Sequence, residues 1–491
     1  MRNLLIPVIF CLLLLTGCDL IDRIIWSPDG ERLAVLTSDG LRLGKDSGDL
    51  SKPVLKEVRL LRWLQDSSKA VVVTASESTE WKDINGLLSK EELAKSVKVA
   101  GKVWNSKSTV LSSDDDSMVA IAVLRLKNQY GALAVKRRLG TKKSPDPITP
   151  VTISSVQLVD LSEGSPKGKL LWRTLETIDE LRVSPSGKLA AIVINREPFA
   201  WIGTTFYKII LLPIDGGLPR TAVESLADIP DWSRDGRWIY YISYPALPRD
   251  VNRKQLYDEQ HPWVGSLNRC EVADETGTML AKFGTPEKIL EVLSAHSSGV
   301  RCLSDGSIIF NSKRRQFPSI VNGKAQAGLF KLKPDLKSLE PIGTLGFESG
   351  EDVQIFEPNQ DGSLISIANK NGRISVLDVA SDKVTVLEKG DSGDKDLKFL
   401  PSWRTKDELC FPARAGGESV QVVLQSMSDL KQRKVLSSSW ASLPPFLREM
   451  KDAFEDVFDE DEKKERKVSP ARKKKVGPAR VQHKKQQRSK P

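Results

Sequence analysis

Histidine is nearly missing from this sequence, with three residues in 491. Only His261 and His296 precede the basic C-terminal stretch, and neither has a second His or Cys at metal-ligand spacing. His261, between Glu259-Gln260 and Pro262-Trp263, reads as part of a loop. The motifs H-E-x-x-H, G-x-S-x-G, a Walker loop and a G-x-G-x-x-G turn after a strand do not occur, so the residues point to no catalytic group, no metal and no cofactor. Asp391, Asp394 and Asp396 share a Gly-containing stretch, but their spacing misses the EF-hand pattern and reads as a solvated acidic turn. Cysteine is also scarce. The five residues Cys11, Cys18, Cys270, Cys302 and Cys410 are odd in number and irregular in spacing, which excludes a disulfide framework. Cys270 and Cys302 are either a bridge or two small buried residues, and the spacing does not choose. Beyond residue 17 no apolar run approaches the ~20 residues that a membrane-spanning helix needs.

The body of the chain lacks a charge of one dominant sign. The whole sequence carries +10, but residues 463–491 hold 13 Lys or Arg against one acid, a net +12, which leaves −2 for the rest. With Pro470, Gly477 and Pro478 among its charges, and blocks such as Arg472-Lys473-Lys474-Lys475 and Lys484-Lys485, this tail is expected to be disordered. Across 441–462, Phe446, Leu447, Met450, Phe454, Val457 and Phe458 share a helical face while Glu449, Asp452, Glu455 and Asp456 take the others. That pattern predicts an amphipathic acidic helix, packed as a lid or offered to a partner's groove.

At the other end, Arg2 precedes an apolar run over residues 4–15 that closes on Leu15-Thr16-Gly17-Cys18. A positive residue, a short apolar stretch and a small-residue cleavage site read as an export signal. The last four residues resemble the bacterial lipobox. The resemblance implies a signal peptide over 1–17, cleavage between Gly17 and Cys18, and a lipid on Cys18 that anchors the chain to a membrane. Asp19 resembles the inner-membrane retention signal of enterobacterial lipoproteins. The expected location is the cell envelope, membrane-anchored and facing the periplasm or exterior, with the inner membrane favoured.

Between these ends one pattern recurs. Trp26-Ser27-Pro28-Asp29-Gly30 precedes an apolar strand, Leu33-Ala34-Val35-Leu36. Variants start at Trp63, Ser112, Ser184 (Ser184-Pro185-Ser186-Gly187), Trp232 (Trp232-Ser233-Arg234-Asp235-Gly236), Leu303, Pro358 (ending Asp361-Gly362) and Trp403, each followed by another apolar strand. Pro presets one turn dihedral, Asp bonds its own backbone and Gly supplies positive φ, so each unit is a tight turn between two strands. Several units continue into a further strand, such as Ile209-Ile210-Leu211-Leu212. A small sheet of this kind cannot bury both faces alone; stacking many around an axis does so. The W-S-x-D-G turn with its following strand resembles the TolB-type β-propeller repeat, a relative of the WD repeat. The resemblance implies an all-β propeller of seven or eight blades over residues 18–440, with Trp26, Asp29, Gly30, Trp63, Ser184, Gly187, Trp232, Asp235, Gly236, Asp361, Gly362 and Trp403 as structural turn residues.

Uneven spacing between the turns predicts insertions over 81–107, 128–150 and 244–293. Within them, residues 80–100 carry helical periodicity, and Lys136-Arg137-Arg138 with Lys142-Lys143 forms a basic loop. Function then divides into two classes. The first is a non-catalytic scaffold that binds an unidentified envelope protein at a propeller face, with the basic tail set against anionic lipid or wall polymer; the export signal argues against nucleic acid. The second is an envelope lyase or hydrolase with carboxylates in the propeller channel, since acid–base catalysis needs no sequence motif.

Overall fold

The computed structural model describes residues 24–37, 39–78, 87, 151–162, 166–199, 204–224, 226–227, 229–244, 264–293, 299–312, 328–343, 355–368, 373–389, 401–414 and 420–437. The chain divides into two units, Met1–Ser442 and Leu443–Pro491, and all the described residues belong to the first.

Their strands form seven antiparallel sheets, each made from one uninterrupted sequence of strands. These blades occupy residues 24–44, 58–174, 177–224, 226–293, 300–342, 355–388 and 402–437. Blade 1 has three strands, and bridges from Leu55 to Leu41 and from Leu50 to Gly44 stand in for a fourth. In blade 2, Lys69–Ser78 pairs with Val151–Asp160 along its whole length, so residues 79–150 connect the two ends of one hairpin.

The apolar runs of the sequence become central strands because both faces of every sheet are covered. In Leu189–Phe199 the side chains alternate between two neighbours. Leu189 and Ala191 pack with Trp232, Ile239 and Cys270 of blade 4. Ala190, Ile192 and Ile194 pack with Val71, Val73 and Val156 of blade 2. The same division repeats between every adjacent pair of blades, giving one apolar core at each interface. The last of these joins Trp26, Leu33 and Val35 of blade 1 to Cys410, Val422 and Leu424 of blade 7. Seven interfaces closing on themselves make a seven-bladed β-propeller, and the eight-blade alternative is excluded. The repeat at Ser112 lies outside the described residues, as do residues 80–100 apart from residue 87, the basic loop at 136–143 and the expected C-terminal helix and tail.

One expectation is corrected in blade 4, and the open question of the two cysteines is decided. The stretch 244–293 is not one insertion, because it contains the strands Val264–Glu271 and Glu287–Leu293. Ser266, Asn268 and Arg269 interrupt the first of them, which hid its strand character. Cys270 and Cys302 are free thiols. Cys270 belongs to the core between blades 3 and 4, whereas Cys302 packs against the core between blades 4 and 5, so the two point into different interfaces.

Turn chemistry repeats at atomic level. In four of the seven turns a Ser or Asn side chain receives the backbone N–H five residues on: Arg32 to Ser27 Oγ at 3.0 Å, Leu189 to Ser184 Oγ at 3.1 Å, Trp238 to Ser233 Oγ at 2.9 Å and Leu364 to Asn359 Oδ1 at 3.2 Å. Neighbouring turns are also tied together. Lys188 Nζ donates to Thr276 O at 2.6 Å, Arg234 Nη1 to Ser304 O at 2.6 Å, Asn359 Nδ2 to Lys406 O at 2.7 Å, and Arg404 Nε to Gly30 O at 3.0 Å. These bonds form a belt around one face of the ring.

Candidate functional site: a charged network on the inner strands

The first strands of successive blades approach one another and line the axis of the ring. They are Ile24–Trp26, Val58–Trp63, Thr177–Val183, Asp231–Trp232, Val300–Cys302, Ile355–Pro358 and Ser402–Trp403. Val183, Cys302 and Pro358 stand in blades 3, 5 and 6 at the position that Trp26, Trp63, Trp232 and Trp403 hold in the others, and the residue just before that position is Ile25, Arg62, Arg182, Asp231, Arg301, Glu357 and Ser402 in turn. Five of these seven carry charge.

Their side chains meet. Arg62 Nη2 of blade 2 donates to Glu180 Oε1 of blade 3 at 2.7 Å, and Arg182 Nε lies 3.6 Å from the same oxygen. Arg182 Nη1 reaches Glu357 Oε1 of blade 6 at 3.3 Å. Arg301 Nε of blade 5 donates to Glu357 Oε2 at 2.7 Å. Blades 3 and 6 are not neighbours, so the Arg182–Glu357 contact crosses the channel. Arg301 is almost fully buried, with its guanidinium 5.6 Å from the centre of the Phe356 ring. Asp231 Oδ2 accepts the backbone N–H of Cys302 at 2.8 Å and ties blade 4 to blade 5.

Backbone geometry fixes the same residues a second time. Trp232 Nε1 donates to Arg182 O at 3.0 Å, and Trp403 Nε1 to Glu357 O at 2.9 Å. Trp63 Nε1 likewise donates to Ile25 O at 3.1 Å. In each case the turn tryptophan of one blade holds the carbonyl of the channel residue of the blade before it. Trp26 has no such oxygen partner; it faces the Cys410 thiol, which burial pushes up to about 12 against the opposing effect of the indole N–H.

Electrostatics divide the carboxylates into two kinds. Burial pulls the Glu357 carboxyl upward, but Arg301 and Arg182 outweigh it and hold it at about 2. Glu180 is also held below the ordinary carboxylate range, because Arg62 and Arg182 outweigh its burial. Asp231 goes the other way: burial raises it despite Arg182 and Arg301. Burial, helped by Asp231, also raises the Cys302 thiol, which makes it a poor nucleophile. Among the described residues no group of three or more His, Cys, Asp or Glu is placed to hold a metal ion.

The turn aspartates and glycines singled out from the sequence sit apart from this network, whereas Trp232 and Trp403 bond to its backbone. Asp29 Oδ1 accepts Ser27 Oγ–H at 2.5 Å and the N–H of Glu31 at 3.0 Å; Asp361 Oδ1 accepts Ser363 Oγ–H and N–H at 2.5 and 3.0 Å; Asp235 Oδ1 accepts the N–H of Arg237 at 3.1 Å. The N–H groups of Gly30, Gly187, Gly236 and Gly362 close their turns onto Ser27, Ser184, Ser233 and Asn359. Cys18, Gly17, His261, His296, the aspartates at 391, 394 and 396 and the tail lysines and arginines lie outside the described residues. Arg62, Glu180, Arg182, Asp231, Arg301 and Glu357 were not identified from the sequence. Their signal is a charge one residue ahead of the turn, or three for Glu180, which is visible only once the strands are known to be innermost.

No protein-family model matches this sequence, and no curated protein matches it. Solved structures similar to it include TolB proteins and other β-propellers. TolB from Acinetobacter baumannii is 14% identical, with a TM-score of 0.35 over 65% of this chain and 69% of its own. Oligogalacturonate lyase from Vibrio parahaemolyticus is 11% identical, with a TM-score of 0.45 over 83% and 89%. Puromycin hydrolase is 11% identical, with a TM-score of 0.39 over 60% of this chain, which spans only 44% of the hydrolase. The chain itself is an all-β, seven-bladed propeller by its own strand order and its own seven interfaces.

Proposed function

We propose that this chain is a lipid-anchored β-propeller of the cell envelope that acts as a non-catalytic protein-interaction scaffold. The observation that supports it most is the state of the channel. Glu180 and Glu357 are clamped by arginines below the range in which a carboxyl exchanges protons near neutrality, and a general acid or base works best with a pKa near the working pH. Groups that satisfy one another hold blades together and leave binding to loops carried on a rigid ring. The lipobox resemblance at Leu15-Thr16-Gly17-Cys18 supports the anchor, and the basic tail supports a second, electrostatic hold on an anionic surface.

The test begins with mass spectrometry of the N-terminal peptide from isolated membranes. A diacyl or triacyl group on Cys18 supports the anchor; an intact Met1 removes it. Cross-linking in intact cells then examines the scaffold: a stoichiometric envelope protein is the expected result, and a tightly bound small molecule that is turned over would count against it.

A second reading, a lyase or hydrolase acting in the channel, draws on Asp231. A half-buried acid whose pKa is raised although two arginines oppose the rise is the kind of group acid–base enzymes use. Turnover abolished by Asp231→Asn, with the fold intact, would favour this reading over the scaffold.

A further inference from the structure

The ring has one interface unlike the others. Among the described residues every blade is built from one uninterrupted stretch, and no described strand from one end of the ring joins the sheet at the other. That seam, between blades 1 and 7, keeps an apolar core, the Arg404–Gly30 bond and an ion pair from Arg404 to Asp46 at 3.1 Å. Like the interfaces between blades 2 and 3, 4 and 5, and 5 and 6, where Val183, Cys302 and Pro358 stand at the tryptophan position, it has no indole-to-carbonyl bond of the kind made by Trp63, Trp232 and Trp403.

We infer that Glu357 is a transannular clasp, which holds blades 1 and 7 together from a distance by joining Arg182 on blade 3 to Arg301 on blade 5. The argument is mechanical. Opening the seam swings blades 6 and 7 away from blades 1, 2 and 3. Contacts between adjacent blades remote from the seam travel with their blades and offer little resistance. The Arg182–Glu357 contact joins blade 3 to blade 6 and is stretched by that motion. Arg62, bonded to Glu180 beside Arg182, extends the clasp to blade 2, next to the seam. Trp403 and Trp232 hold the backbone carbonyls of the two clasp residues, which keeps both side chains aimed into the channel.

Hydrogen–deuterium exchange on the full chain tests this at neutral pH. In Glu357→Gln, amides of Leu33–Thr37 in blade 1 and Val420–Ser426 in blade 7 are expected to exchange about tenfold faster, while those of Trp238–Tyr244 in blade 4 stay within about twofold of the parent. Lys188→Met, which removes the bond to Thr276 O between blades 3 and 4 and touches no clasp residue, is expected to leave Leu33–Thr37 and Val420–Ser426 within about twofold of the parent. Arg182→Lys keeps the charge, shortens the reach and carries the test if Glu357→Gln does not fold; it should loosen the same seam strands to a smaller degree. Faster exchange in all blades alike, or confined to blades 5 and 6 around Glu357, would overturn the clasp and leave a local packing role.

Discussion

Trp403 reaches back one blade and places its indole N–H 2.9 Å from the carbonyl of Glu357, so the residue whose side chain crosses the channel is held by its backbone from the next blade. A neutral hydrogen bond of this kind contributes about 1 kcal/mol net, and the Glu357 carbonyl still accepts the Ser366 hydroxyl at 3.0 Å when the indole is removed. Trp403→Phe and Trp232→Phe are therefore expected to lower unfolding free energy by about 1 kcal/mol more than Trp26→Phe, whose indole has no oxygen partner to lose. Urea denaturation of the three variants gives the comparison. Equal losses would mean that ring packing, and not the indole bond, sets the cost.

Glu180 sits between two guanidiniums and its side chain is 14% exposed. Removing one member of a buried ion pair strands the charge that remains, at about 3–5 kcal/mol. The partial exposure of its side chain places Glu180→Gln near the lower end, at about 3 kcal/mol. Arg62→Met should cost less, because Glu180 keeps Arg182. The order of the two midpoints is the observable.

The acids of the channel oppose one another as pH changes. Glu357 has a folded-state pKa of about 2, below its ordinary 4.5, so its contribution is complete above 4.5 and is lost as pH falls toward 2. Asp231 is raised above its ordinary 3.8, so stability is lost as pH rises from 3.8 through its folded-state value. Asp231→Asn removes that second loss and retains an acceptor for the Cys302 N–H. The expected result is a variant at least as stable as the parent at pH 7, with the advantage vanishing below pH 3.8. A variant less stable at pH 7 would show that the ionised carboxylate is needed beside Arg182 and Arg301.

Two glycines separate backbone strain from collision. Gly187 and Gly48 have φ of +69° and +86°. A side chain in either pays about 1–2 kcal/mol for the left-handed conformation. At Gly187 an added Cβ meets nothing within 4 Å, whereas at Gly48 it would lie 2.3 Å from the carbonyl oxygen of Leu436 in blade 7. Gly48→Ala should therefore lower the midpoint well beyond Gly187→Ala, and its excess should appear as faster exchange at the seam.

The turns were legible in the sequence because their chemistry is local. Pro28, Asp29 and Gly30 dictate a tight turn wherever the chain goes, and Ser184 or Ser233 closes it within five residues. Blade number was not legible to the same degree. Counting turns admitted the Ser112 repeat, while the ring is counted by cores such as that of Trp26 with Cys410, whose members lie at opposite ends of the propeller sequence. The channel network was least legible. Arg182 and Glu357 are 175 positions apart, and each alone reads as an ordinary charge before a turn. Cys270 and Cys302 show the same limit from another side, since sequence spacing says nothing about which side of a blade a thiol faces.

Because each blade is a closed stretch of chain, no sheet depends on where the chain is opened. The first and last described strands lie on blades 1 and 7, which already touch, so a peptide bridging them would let the gene be reopened between any other two blades. Such circular permutants should retain all seven sheets, and their relative yields would rank the interfaces by how well each tolerates becoming the place where synthesis begins and ends.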